Sequence, residues 1–298
     1  ICILIDVYKI SKPDLYYFID NCENIPNKVQ DKVLSNNSYI LISEYAKLQS
    51  IIPLLYNYKI TDKELLSMIF QVLYFLYALQ TEYPNSFHLD MHPDNVLIDS
   101  DNLEKVIYNY KTKNKNYYID YYNKMVKLWD FDNMIIYGKQ DIDNDYINKM
   151  PDELKPYLDM YTFLNVLIMH IYMTNQYTVL EKSVKLIKKI LPEELRVPGL
   201  EKLKDQNVII GEKLYTQMES ILSQEEKDKF IKGTTYKDLY EDFLKISVSD
   251  RSEFLKKVTL MKTPRQIFED TKIFDIFGEE YLNYKLEKGY NLSDTIIG

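Results

Sequence analysis

Glycine is scarce in this chain: seven in 298 residues, the first of them Gly138. Residues 1–137 therefore hold no glycine-rich loop of the kind whose bare backbone amides cradle phosphate groups. Cysteine is scarcer still. Cys2 and Cys22 can close one small loop at most, which excludes a secreted disulfide framework, and no Cys/His spacing suits a structural metal site. A reducing, intracellular and cytoplasmic setting is expected. Positive charge is also in deficit, with 37 Lys and Arg against 45 Asp and Glu and a formal net charge of −8. That balance argues against a protein whose main task is gripping a polyphosphate backbone, so nucleic acid is not an expected partner. No apolar run is expected to approach the ~20 residues that span a bilayer, and "ICILIDV" at the start lacks the basic flank of a signal peptide. No membrane partner is expected. The chain opens on Ile1 rather than Met, and an upstream part of the protein is expected.

What is present is enough apolar residue, 46%, for a sizeable core. "ICILIDVYKI" and "YILISEYA" (Tyr39 to Ala46) read as β-prone runs. "TDKELLSMIFQVLYFLYALQTEY" reads as a long helix. Thr61 stands at the N-cap with Glu64 three residues on, and Leu65, Met68, Ile69, Val72, Leu73, Leu76 and Leu79 recur at helical spacing. Pro84 and Asn85 end it. "NVLI" and "MVKLWDFDNMII" then read as two buried strands around a polar stretch rich in Tyr, Asn and Lys, an insertion at about residues 99–125 with no sustained apolar face. From about Pro156 the pattern is helical: "YLDMYTFLNVLIMHIYM" is apolar nearly all round, while "YTVLEKSVKLIKKIL" is amphipathic with lysines on its wet side. His170, on the buried helix, reads as a satisfied core histidine, and Trp129 as packing beside its strand.

The chemistry concentrates in "SFHLDMHPDNVLI", residues 86–98, which holds two of the three histidines. Asp90 and Asn95 lie five residues apart, and Asp130 and Phe131 follow at the end of the next apolar strand. Three oxygen-bearing side chains thus converge on one hairpin. Phosphoryl transfer asks little covalent help of a protein; it needs an acceptor hydroxyl held in line and divalent cations neutralising the phosphate oxygens. Carboxylate and amide oxygens are the hard ligands that Mg²⁺ prefers.

"HLDMHPDN" resembles the catalytic loop of the eukaryotic-type protein kinases, His-Arg-Asp-x-x-x-x-Asn, and "WDFDN" resembles their Asp-Phe-Gly motif. The resemblance implies a kinase-like α+β fold, with a remnant of the small β-rich N-lobe and the hinge in residues 1–46 and a mainly helical C-lobe in residues 47–298. It implies ATP and Mg²⁺ as cofactors, with Asp90 catalytic, Asn95 and Asp130 binding metal, and His88 bracing the loop against Phe131. "LISEYA" looks like the strand leading into the ATP hinge, with Ser43 as gatekeeper and Glu44, Tyr45 and Ala46 facing adenine. Asp159 resembles the buried Asp that pins the catalytic loop, and "KTPRQIFEDTKIF" the closing C-lobe segment. The composition and divergent loop also resemble kinase-like proteins of large DNA viruses, which implies the host cytoplasm or the virion as location, with viral or structural partners.

The sequence departs from the family at four places. No glycine loop precedes the catalytic loop, and Lys9 and Glu23 are candidates for the ATP-anchoring pair by order only. Leu89 replaces the Arg that pairs with an activation-loop phosphate. His92 stands where many Ser/Thr kinases carry Lys, as in choline and aminoglycoside phosphotransferases, and is placed to donate to a phosphate oxygen. Asp132 replaces the glycine of Asp-Phe-Gly. The expected activity is transfer of the γ-phosphoryl group to a Ser or Thr hydroxyl of a protein substrate. A pseudokinase serving as a binding module, or a small-molecule kinase, stands as the alternative.

Overall fold

The computed structural model describes residues 4–10, 38–43, 49–99, 105–120, 124–131, 133–136, 149–197, 199–203, 223–224, 244–245, 247 and 249–297. Residues 1–47 and 48–298 form two compact units. In the first, β1 (Leu4–Ile10) pairs antiparallel with β2 (Ser38–Ser43), Ile10 opposite Ser38 and Leu4 opposite Ser43. Lys9 and Ser43 lie on these strands; Glu23, Glu44, Tyr45 and Ala46, and with them the hinge expectation, lie outside the described residues.

The second unit is α+β with small sheets and several helices, an arrangement compatible with a kinase-like fold. A short strand β3 (Gln49–Ser50) leads into α1 (Ile51–Tyr56) and then α2 (Asp62–Glu82). Thr61 caps α2 as its sequence predicts: its hydroxyl accepts from the Glu64 amide, and the Glu64 carboxylate accepts from the Thr61 amide at 2.7 Å. α2 is long and apolar enough to cross a membrane by length and composition, contrary to the expectation from the sequence, because Tyr and Gln interrupt its apolar run without adding charge; 72% of that stretch is buried inside the protein. After it, β4 (Val96–Asp99) is the middle strand of a sheet ordered β3-β4-β7.

The segment read as a polar insertion forms the hairpin β5 (Val106–Lys111) and β6 (Asn116–Asp120), and it carries a buried face after all. Tyr110, Tyr117, Ile107 and Ile119 are all buried. The Tyr-rich composition disguised this, since a tyrosine reads as polar while its ring buries and its hydroxyl finds a partner. Phe70 of α2 sits at the centre of an aromatic cluster, 5.3 Å from Tyr110, 5.4 Å from Tyr117 and from Phe268, and 5.1 Å from Phe274 between ring centroids. The hairpin is thereby welded to the helical body.

β7 (Met125–Leu128) closes the central sheet. Two predicted helices follow: α3 (Leu158–Met173), buried on nearly every side, and α4 (Glu181–Ile190). Among the described residues, three more occupy the C-terminal part: α5 (Arg251–Val258), α6 (Pro264–Asp270) with a second capping box on Thr263 and Gln266, and α7 (Glu279–Glu287). The predominantly helical pattern expected from about Pro156 is interrupted at the end by one strand. β8 (Asn291–Ile297) adds a parallel strand to β5, giving a second sheet ordered β6-β5-β8.

Candidate functional site

α2 ends at the Tyr83 C-cap, and Asn85 at φ 64° turns the chain sharply back toward the sheet. Phe87 then makes an isolated antiparallel bridge with Ile135, N–H to O at 2.9 and 2.8 Å. The loop 88–95 is thus anchored at its start to the segment after β7. Its other end is a 3-10 turn, Pro93–Asn95, running directly into β4.

Asp159, in the first turn of α3, reaches under this loop. Its two carboxylate oxygens accept from the His88 and Leu89 amides at 2.8 Å each. Burial holds the Asp159 carboxyl above its ordinary range, against the opposing pull of the two amide hydrogen bonds. Leu89 is held at φ 63°, a left-handed conformation uncommon for a branched side chain, with its side chain buried. The paired amide contacts hold that strain in place. An Arg here would have to put its charge where Leu89 buries an apolar group.

Asn95 is buried and its amide nitrogen donates to the Asp90 carbonyl at 2.9 Å and to Asp90 Oδ2 at 3.2 Å. The nitrogen end of the amide is thereby committed, and Oδ1, the acceptor end, has no hydrogen bond among the described residues. Asn95 and Asp130 leave the same end of the β4–β7 ladder: the Asn95 carbonyl accepts from the Trp129 amide at 2.9 Å, one residue before Asp130. Asp130 has φ 60°, the third left-handed residue after Asn85 and Leu89.

His88 links the two halves. Its Nε2–H donates to the Trp129 carbonyl at 3.1 Å, since a carbonyl can only accept, and this fixes the tautomer. Its ring lies 5.0 Å from that of Phe131, which lies 6.5 Å from Phe75 of α2. Trp129 differs from its expected packing role: the backbone is locked on both sides, yet the side chain is 45% exposed. Leu128 before it is buried and Phe131 after it packs against the core, while the indole stays at the surface.

His92 faces Asp90, with Nε2 3.4 Å from Asp90 Oδ1 and Nδ1 4.0 Å from Asp94 Oδ2. Asp94 also accepts from the Ser50 hydroxyl at 3.0 Å. Neither Ser50 nor Asp94 stands out in the sequence. Ser50 sits at the N-cap of α1, a position that predicts a local cap, but its hydroxyl spans to the loop instead. His170 bonds elsewhere but feels this group: its Nδ1 is 3.3 Å from the Tyr56 hydroxyl, and burial, against the pull of Asp94, pushes the imidazole down to about 4. Asp132 lies outside the described residues.

Among the described residues, no group of three or more His, Cys, Asp and Glu gathers at metal-binding separation. The donor chemistry of Asn95 and Asp130 nevertheless suits Mg²⁺, which takes one or two protein oxygens and completes its shell with phosphate and water.

No family model matches the chain. An alignment of 140 residues shows 29% identity to serine/threonine-protein kinase R400, a provisional name, of Acanthamoeba polyphaga mimivirus. It covers 43% of this chain and 30% of the length of that viral relative. The partial likeness suggests a kinase-like protein of the transferase class.

Proposed function

We propose that this chain is an ATP-dependent phosphotransferase of the protein-kinase type, moving the γ-phosphoryl group to a Ser or Thr hydroxyl of a protein. The observation that carries the reading is the Asn95 amide donating to Asp90 beside a strand end that also presents Asp130. Asp90 orients the acceptor hydroxyl and takes its proton as the oxygen–phosphorus bond forms and the bond to the leaving diphosphate breaks. The Asn95 hydrogen bond holds the carboxylate in one rotamer, so little reorganisation is needed when the hydroxyl arrives. Asn95 Oδ1 and the Asp130 carboxylate would hold Mg²⁺, which would supply positive charge to the phosphate oxygens. His92 lies close enough to Asp90 to meet the incoming phosphoryl group with a ring N–H.

The test is the Mg²⁺ dependence of ATP turnover. Asn95→Ala and Asp130→Ala are expected to raise the Mg²⁺ needed for half-maximal rate by tenfold or more, while Asp90→Ala lowers the rate at every Mg²⁺ concentration. Equal loss in all three variants with no shift in Mg²⁺ dependence would remove the assigned roles. Nucleotide binding without turnover in the unmodified chain would instead favour the binding-module reading.

A further inference from the structure

Away from the loop, a pocket of about 480 Å³ opens between the start of α2, the start of α4 and the turn before α7. This is the size range of small-molecule sites. Its floor is apolar, made by Leu66, Phe277 and Tyr281, with Ile276 56% exposed at the mouth. Lys63 and Lys182 are the cations of its wall.

The carboxylates near these lysines are committed elsewhere. Asp62 Oδ1 accepts from the Ser183 amide at 2.9 Å and the Ser183 hydroxyl at 2.6 Å, and Oδ2 from the Lys182 amide at 2.9 Å. Its charge is thus spent on the first turn of α4. Asp120, the acid that pulls most strongly on the Lys63 charge, is already held by Lys285 and the Tyr281 hydroxyl. Glu64 closes the capping box on Thr61. Lys63 lies 5.1 Å from the centroid of the Tyr281 ring. Burial holds the Lys63 ammonium below the ordinary lysine range, and the Lys285 charge adds to this against the pull of Asp120. Lys182 forms no ion pair among the described residues.

We propose that this pocket binds a small amphipathic carboxylate, its apolar body on Leu66, Phe277 and Tyr281 and its anionic head between Lys63 and Lys182. The match is one of charge and polarity together. An apolar floor alone takes any hydrophobe, whereas two cations whose neighbouring carboxylates are each already hydrogen-bonded to other groups reward an anion placed where solvent is partly excluded. The site does not depend on the phosphotransferase reading.

The test is calorimetric titration of the full chain with octanoate, 1-octanol and acetate, which carry head and body together, body alone and head alone. Octanoate is expected to bind, acetate not, and the double variant Lys63→Gln/Lys182→Gln to weaken octanoate at least tenfold while leaving 1-octanol unchanged. Lys185→Gln, on the exposed face of α4, should change nothing. Loss of 1-octanol binding in the double variant would mark a disturbed pocket, and Lys182→Gln alone, at an exposed side chain, then carries the test with a smaller loss of octanoate. Octanoate that binds equally well without the lysines, or does not bind at all, overturns the proposal. An acidic, aromatic tetrapeptide that outcompetes octanoate at equal concentration would overturn the small-molecule assignment in favour of a peptide ligand.

Discussion

Asp159 shows how one side chain can specify a loop. Two buried amides depend on it, and an unmet buried donor costs on the order of 1–3 kcal/mol. Asp159→Ala should therefore lower stability by about 3 kcal/mol in denaturant unfolding, with Asp159→Asn losing less because its one amide oxygen can still accept. Equal stability in Asp159→Ala would show that the loop holds its own shape. His170 supplies a pH signature. Its folded value near 4 lies below the unfolded value near 6.5, so below about pH 6.5 the unfolded state binds a proton that the folded state refuses. Stability should fall as pH drops from about 6.5 towards 4, by about 3 kcal/mol at most, and His170→Phe should flatten that part of the profile. Melting temperature against pH measures both. At this scale the candidates could be named in advance: Asp90, Asn95 and Asp130 are polar residues close to apolar strands and advertise themselves. The left-handed backbone at Leu89 could not be read, because it arises from contacts with α3, about 70 positions away.

Among the elements, α2 was the most legible, since its cap and its apolar repeat are written within 21 residues. The β5–β6 hairpin and β8 were not. Their partners are distant in sequence, β5 lying beside a strand that begins only at Asn291, and tyrosine blurs the alternation of apolar and polar positions. The hairpin is bound to α7 by Asp120, which accepts from Tyr281 and Lys285 at a site where the Asp120 and Lys285 side chains are 13% and 7% exposed. Tyr118 donates to Glu279 at 2.7 Å, and Lys115 pairs with Asp275 at 2.8 Å. Removing one partner of a buried pair strands the other's charge. Lys285→Met should cost about 2 kcal/mol, less than the full penalty of a stranded charge because Lys63 remains near Asp120. Adding Asp120→Leu should recover most of it, a coupling that a double-mutant cycle in urea would measure. Additive losses would mean that the pair contributes nothing beyond its separate contacts. Phe70→Ala, which empties the aromatic cluster, should cost about 4 kcal/mol.

For the whole molecule, the aromatic cluster and the Asp159 anchor fix α2, α3 and the β4–β7 ladder around one polar loop, leaving Asp90, His92 and Asp130 partly exposed within an otherwise apolar frame. Trp129 is the only tryptophan of the 298 residues, and it stands half-exposed beside Asp130. Its fluorescence should change on addition of ATP with Mg²⁺ and change little when Asp130 is Ala. An identical response in that variant would separate nucleotide binding from Asp130. The most direct measurement is transfer of labelled phosphate from Mg-ATP to the chain itself and to a basic acceptor protein, run beside Asp90→Ala. The account predicts incorporation on Ser or Thr that falls by about a thousandfold or more in the variant, in keeping with loss of both orientation and proton transfer. Folded protein that incorporates no more label than Asp90→Ala would contradict it.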